Sequence, residues 1–284
     1  MKPQILAVDC GNTNIKWALF AAATSMPRVL QSGAFATSNV REQLALLVAT
    51  VMRCATTANQ SQTLRVMISN VAGIAVADAF KCAFSTHAAT LHFAESQAVS
   101  CGMHNGYVSP HTLGVDRFAA LVAAHQQPQN QLVVMAGTAL TIDALNQNGQ
   151  FLGGIIVPGL RTMQDALHQR TAQLPRLTDE DARVFAFPTH TTAAIASGAM
   201  AACVGAVVMQ ALAHARALRT THENVARIVI AGGAATVMLP HLEIAVAAAF
   251  APGGSAAVPV IVMQPNLVLE GLFYLAAATI APTV

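Results

Sequence analysis

The sequence predicts an α/β protein made of two similar domains in series, and three observations carry that prediction. The chain opens on an apolar strand, a glycine turn with threonine, and a returning strand. The same arrangement recurs past residue 131, LAVDCGNTNIKW against LVVMAGTALTID, a weak internal repeat. Elsewhere short apolar strand patterns are followed by helical ones, the order of an α/β chain. Between the two copies lies QQPQNQ, residues 126–131, polar and broken by a proline, which places the domain boundary there. Domains are therefore expected over 1–127 and 128–284.

In the first copy, residues 5–9 and 15–20 read as strands around a Gly-Asn turn. Residues 42–54 have the spacing of an amphipathic helix, 65–70 (RVMISN) read as a short strand, and 75–84 as a helix. A loop over 102–110 leads to GVDRFAALVAAH, a helix over 114–125. In the second copy, 132–135 is an apolar strand, 136–138 the turn and 139–145 the returning strand. Residues 226–230 (ARIVI) form a strand running into AGGAA, and 266–280 a final helix.

Charged residues are only 10% of the 284, and the formal net charge is +2. Such a chain buries a large apolar fraction and is not disordered. No block of Lys or Arg stands out, so no nucleic-acid partner is expected. Cys10, Cys54, Cys82, Cys101 and Cys203 are odd in number and contain no CxxC. That argues against disulfides and a zinc ribbon and fits a reducing cytoplasm. MKPQILAVDCG does not read as a secretory leader, because Asp9 interrupts its apolar run. Residues 191–213, TTAAIASGAMAACVGAVVMQALA, carry no charge and approach bilayer length. Ala, Gly, Ser and Thr dominate them, so the drive to insert is weak. Ala194, Gly198, Ala202 and Ala206 recur every fourth residue, a pattern that suits a helix packed closely on another in a soluble protein.

The pointed chemistry is in three places. In DCGNTNIK, a strand ends in a glycine turn whose amides can cradle phosphate oxygens. Lys16, one of only three lysines, adds positive charge, and Asp9 at the strand end suits Mg²⁺. These are parts of a phosphoryl-transfer site, although spacing alone equally allows a hairpin with a polar turn. In LGVDR, Asp116 and Arg117 occupy a helix first turn, where an acid is favoured electrostatically. Asp116 is either a plain helix start or a carboxylate that accepts a substrate proton. Arg117 either binds an anionic substrate group or pairs with a surface acid. The glycines of AGG at 231–233 suit a turn near a nucleotide or a tight strand-to-helix turn. GxxxxGK[ST], GxGxxG after a strand, HExxH and GxSxG are all absent from the sequence.

Taken together, DCGNTNIK, NGYVSPHTLGVDR (105–117), AGTALTID (136–143), GGIIVPGL (153–160), TTAAIASG (191–198) and AGGAA resemble the type III pantothenate kinase family, which includes the Bvg accessory factor proteins. The pieces occur in family order and span most of the chain. The resemblance implies two duplicated actin-like (ribonuclease H-like) α/β domains with a nucleotide cleft between them. The first would carry a phosphate-binding hairpin and substrate turn, the second another phosphate turn and nucleotide-binding glycines. It also implies ATP-dependent phosphorylation of pantothenate to 4′-phosphopantothenate, the first step towards coenzyme A, by a cytoplasmic homodimer. By position, Asp9, Cys10, Gly11, Asn12, Thr13, Asn14, Ile15 and Lys16 would hold the ATP phosphates, with Mg²⁺ on Asp9, and Thr138 would touch the phosphates from the second domain. Tyr107, Gly114, Val115, Asp116 and Arg117 would hold pantothenate, Thr191 would reach in from the partner subunit, and Asp116 would be the general base. One residue departs from the pattern. The family usually has an aspartate where this chain has Met135, and that aspartate binds a monovalent cation, K⁺ or NH₄⁺. A thioether is a poor ligand for a hard cation. The cation site is then either lost or built from backbone carbonyls and another acid, with Asp143 a candidate. Two alternatives to the kinase are a nucleotide-binding regulatory protein without turnover and a kinase for another small hydroxylated metabolite.

Overall fold

A computed structural model describes residues 4–21, 26–56, 64–87, 89–178, 183–218, 223–250 and 257–279. The chain divides into two compact units, Met1–Gln127 with Asn266–Val284, and Pro128–Pro265. The first unit begins with β1 (Gln4–Cys10), β2 (Asn14–Phe20), β3 (Val29–Ala36), α1 (Val40–Thr56), β4 (Leu64–Asn70), α2 (Ile74–Phe84) and β5 (Ala89–Phe93). A small hairpin, β6 (Val99–Ser100) and β7 (Met103–His104), precedes α3 (Val115–His125). The second unit holds β8 (Gln131–Ala136), β9 (Ala139–Leu145), β10 (Phe151–Pro158), α4 (Leu160–Arg170), α5 (Thr191–Leu218), β11 (Arg227–Ala231), α6 (Ala235–Ala249) and β12 (Val260–Met263). The chain then returns to the first unit with α7 (Leu267–Ala278).

The main sheet of the first unit has the order β3-β2-β1-β4-β5, and that of the second β10-β9-β8-β11-β12. In each, the first three strands run antiparallel and the last two join the first in parallel. Order and pairing sense repeat strand for strand, so the two units are one duplicated α/β topology, the actin-like (ribonuclease H-like) arrangement. β1 and β8 sit at the centre of their sheets, with both faces covered, and read as nearly continuous apolar runs for that reason.

Strand alternation assigns the two faces of β1. Leu6, Val8 and Cys10 join a core with Leu44, Leu47 and Val48 of α1 and Val76 and Phe80 of α2. Period two then sends Ile5, Ala7 and Asp9 to the opposite face. That face is covered by α7, which packs on α3, β1 and β4. The Phe20 and Phe273 rings meet there with centroids 5.1 Å apart. The crossing of α3 and α7 requires Gly271, because a Cβ at that position would overlap the carbonyl of Ala119. Chain order assigns residues 266–284 to the second domain. Packing instead gives the described part of that segment, α7, to the first.

α5 is the one described helix long and apolar enough to cross a membrane. Its residues Met200, Cys203, Val204, Val207 and Ala211 lie in the core of the second unit. The lack of charge over residues 191–213 is thus explained by packing on β8, β9 and α6.

Candidate active site

In the first unit the site forms where β1 ends. The Gly11 amide donates to the Asn14 carbonyl at 3.1 Å, closing the β1–β2 turn. The Thr37 hydroxyl donates to the Gly11 carbonyl at 2.7 Å, its amide to the Thr13 carbonyl at 3.0 Å, and the Val71 amide to the Cys10 carbonyl at 3.0 Å. The turn is therefore anchored from two sides, while Asn12, Thr13 and Asn14 are exposed at its tip. Cys10 and Ile15 face the α1/α2 core. Of the residues expected to touch phosphate, these two have only backbone to offer.

Asp9 lies on the other face, half-buried, in a row made by strand register. Lys16 of β2 is its antiparallel partner and Ser69 of β4 its parallel partner. Burial pushes the Asp9 carboxyl from 3.8 up to about 6, and the nearby charge of Asp116 adds to the rise. Ser69 and Lys16 pull it back. Asp9 Oδ1 is buried with no hydrogen-bond partner among the described residues. An ionisable oxygen, desolvated and unpaired beside a second carboxylate, fits a divalent cation that brings its own water and phosphate ligands. Among the described residues no cluster of three or more His, Cys, Asp or Glu forms a fuller cage.

Asp116 stands in the first turn of α3, with Oδ1 accepting from the Arg117 amide at 2.8 Å. Gly114 makes room for it: a Cβ there would lie 2.7 Å from that oxygen. Arg117 is only 4% exposed and donates to the Tyr107 hydroxyl at 2.9 Å, its guanidinium carbon 5.6 Å from the ring centre. It therefore holds Tyr107 in place. Two residues not foreseen as functional fix this loop. The Ser96 hydroxyl donates to the Leu113 carbonyl at 2.8 Å. The Asn105 side chain donates to the Pro110 carbonyl at 3.0 Å and accepts from the Tyr107 amide at 3.1 Å. Asn105 stands inside the quoted NGYVSPHTLGVDR. Ser69 and Ser96 have no local signal.

Thr138 and Thr191 belong to the second unit. There three glycine-bearing junctions meet. The Gly159 amide and Thr162 hydroxyl donate to the Thr138 carbonyl at 2.8 and 2.6 Å, and the Ala234 amide to the Ala136 carbonyl at 3.0 Å. Gly232, at φ +106°, sits where a Cβ would overlap the backbone of Ala136. Beside these junctions is a cavity of about 590 Å³, lined by Leu160, Arg161, Met200, Val237 and His241 among others. Thr191 is exposed at the start of α5.

The second sheet repeats the β1 row with different chemistry. Thr141 and Ala231 flank Met135 as Lys16 and Ser69 flank Asp9. A thioether, one hydroxyl and a methyl do not make a side-chain seat for a hard monovalent cation. Asp143 does not supply the missing acid at the strand end. It pairs with Val133, two residues back from Met135, is 1% exposed, and its carboxylate lies against Gly154.

The sequence profile of the family described as type III pantothenate kinase matches residues 5–213. The chain is 39% identical over 246 residues to a type III pantothenate kinase of Herminiimonas arsenicoxydans, covering 85% of this chain and 91% of that one. It is 33% identical over 280 residues to one of Nitrosospira multiformis, covering 98% and 93%. Among solved structures, a conserved candidate transcriptional activator of the Baf family from Campylobacter jejuni aligns with a TM-score of 0.52 over 94% of both chains, at 16% identity.

Proposed function

Because the chain belongs to the type III pantothenate kinase family, we propose that Asp9 and Asp116 share the work of its pantothenate kinase reaction, one at the nucleotide and the other at the acceptor. The family makes the chain an enzyme that uses ATP and a divalent metal to phosphorylate pantothenate. The finer assignment rests on one observation: the two carboxylates are near enough for Asp116 to raise the pKa of Asp9. The product would be 4′-phosphopantothenate, made in the cytoplasm.

Asp9 would hold Mg²⁺, which when bound would offset the charge of the transferring group. The Gly11–Asn14 turn holds the phosphates through backbone and exposed amides, and Lys16 adds its charge. Arg117 locks Tyr107 in the loop that seats pantothenate. Asp116 Oδ1 accepts from the Arg117 amide, which leaves Oδ2 for the acceptor. That oxygen takes the proton of the primary hydroxyl as the hydroxyl oxygen bonds to the γ-phosphorus and the bond to the ADP oxygen breaks. In the second unit the Gly137–Thr138 turn is assigned to phosphate and the neighbouring cavity to a nucleoside.

The uncharged exposed line of α5 (Thr191, Ala194, Gly198, Ala201) is assigned to contact between two copies. In that dimer Thr191 reaches the partner's acceptor site. The strand end at Met135, flanked by Thr141 and Ala231, offers a monovalent cation no side-chain seat.

Asp116→Asn tests the assignment. It should keep the fold by circular dichroism and still bind ATP, while kcat falls by about 10²–10⁴-fold. A variant retaining wild-type kcat removes the base. Wild-type protein that turns over other hydroxylated metabolites but not pantothenate removes the substrate.

A further inference from the structure

Ser69 is a polar residue that no role assigned above absorbs. It is 0% exposed, its hydroxyl makes no fully formed hydrogen bond among the described residues, and the acid it acts on is Asp9. A buried hydroxyl without a well-formed bond carries a desolvation penalty. Register sets Ser69 beside Asp9 across the parallel β1/β4 ladder. Asp9 Oδ1 is itself buried and unpaired. Two unsatisfied polar atoms thus share one face of neighbouring strands, the face covered by α7. The backbone under Ser69 is held firmly. The Val71 amide donates to the Cys10 carbonyl at 3.0 Å, and Asn70 closes the following turn, donating to the Gly73 carbonyl at 2.9 Å and accepting from the Ala72 amide at 3.0 Å.

We propose that Ser69 is a positioning residue for Asp9: its hydroxyl donates to one oxygen of the Asp9 carboxylate and so aims the other at the metal. The proposal rests on the assignment of Asp9 as the metal-facing acid. A serine at that register position is the only neutral donor the strand row supplies. Lys16 acts from the opposite side of Asp9, and Asp116 of α3 acts against ionisation. The acid of α7, Glu270, bears on Tyr274. Ser69 is thus the one neighbour placed to hold the carboxylate without competing with metal for charge. The equivalent position in the second sheet is Ala231, beside Met135, where no carboxylate needs holding.

The test is Ser69→Ala beside Ser69→Cys, read in two ways. With ADP and no pantothenate, electron paramagnetic resonance of Mn²⁺ follows metal binding directly, with Asp9→Asn as the reference that lacks the carboxylate. In Ser69→Ala the Mn²⁺ dissociation constant should rise by about tenfold or more. With pantothenate and ATP, the half-saturating Mg²⁺ concentration should rise by a similar factor. The pantothenate KM should hold. Ser69→Cys, which keeps a weak donor, should fall between. An unmoved Mn²⁺ affinity and unmoved Mg²⁺ dependence overturn the proposal, even if stability drops. Should the wild type fail to phosphorylate pantothenate, the kinase assignment falls alone, and Mn²⁺ binding still decides Ser69.

Discussion

Removing the charge of Asp9 should stabilise the metal-free first unit while abolishing activity. The perturbation is Asp9→Asn. In the native state the carboxyl titrates at about 6, against 3.8 for the free group. Each pH unit of displacement is worth ~1.4 kcal/mol, so ionised Asp9 weakens the fold by about 3 kcal/mol at neutral pH. The sign follows from linkage. A carboxyl whose folded pKa is raised gives its full stability below 3.8 and loses it as pH rises through about 6. The variant lacks that loss, so its advantage should be near zero at pH 4, grow between pH 4 and 6, and level off above about 6.5. An unpaired buried amide takes back part of it, leaving a net gain of about 1–3 kcal/mol at pH 7. Urea unfolding in EDTA measures this, with fluorescence of the single tryptophan, Trp17 of β2, reporting the first unit. A variant less stable than wild type at pH 7, or a difference that does not change between pH 4 and 7, would refute the reasoning.

Two further outcomes are expected. Gly271→Ala should force α7 away from α3 and destabilise the first unit by about 1–3 kcal/mol in the same urea assay, because the obstacle is the backbone of Ala119 and cannot rotate away. Wild-type turnover should agree within about twofold in KCl, NH₄Cl and choline chloride at matched ionic strength, given the thioether at the second strand end. A strict requirement for K⁺ would show that backbone carbonyls alone build a cation seat.

The elements legible in the sequence were those whose burial is two-sided or whose helical face is continuous. β1, β8 and β11 sit centrally and read as apolar runs, and α3 is almost wholly buried. The edge strands were not legible. β3 is exposed along most of its length, β10 alternates in exposure and carries Gly153 and Gly154, and β12 has only four residues. Their pairing is decided by partners already in place. The turn residues and the LGVDR helix start could be named from local spacing. The Lys16–Asp9–Ser69 row could not, because Ser69 reaches Asp9 by register between strands sixty residues apart in sequence. The assignment of α7 failed for the same reason. Its partners are α3 and β1, and the permitting signal is a single glycine inside a helix.

The return of α7 to the first unit also has a consequence during synthesis. A nascent chain that has emitted residues up to 127 has made every strand of its first sheet but not the helix that covers one face of it. Phe20 and the Ile5–Ala7 side of β1 then wait for residues 267–278 while the whole second unit is translated, roughly ten to thirty seconds at about 5–20 residues per second. The second unit, by contrast, is contiguous and can close as soon as it emerges. The unit that carries Asp9 and Asp116 is begun first and finished last. Its open apolar face, rather than the isolated apolar helix α5, is the surface most in need of chaperone cover on the ribosome.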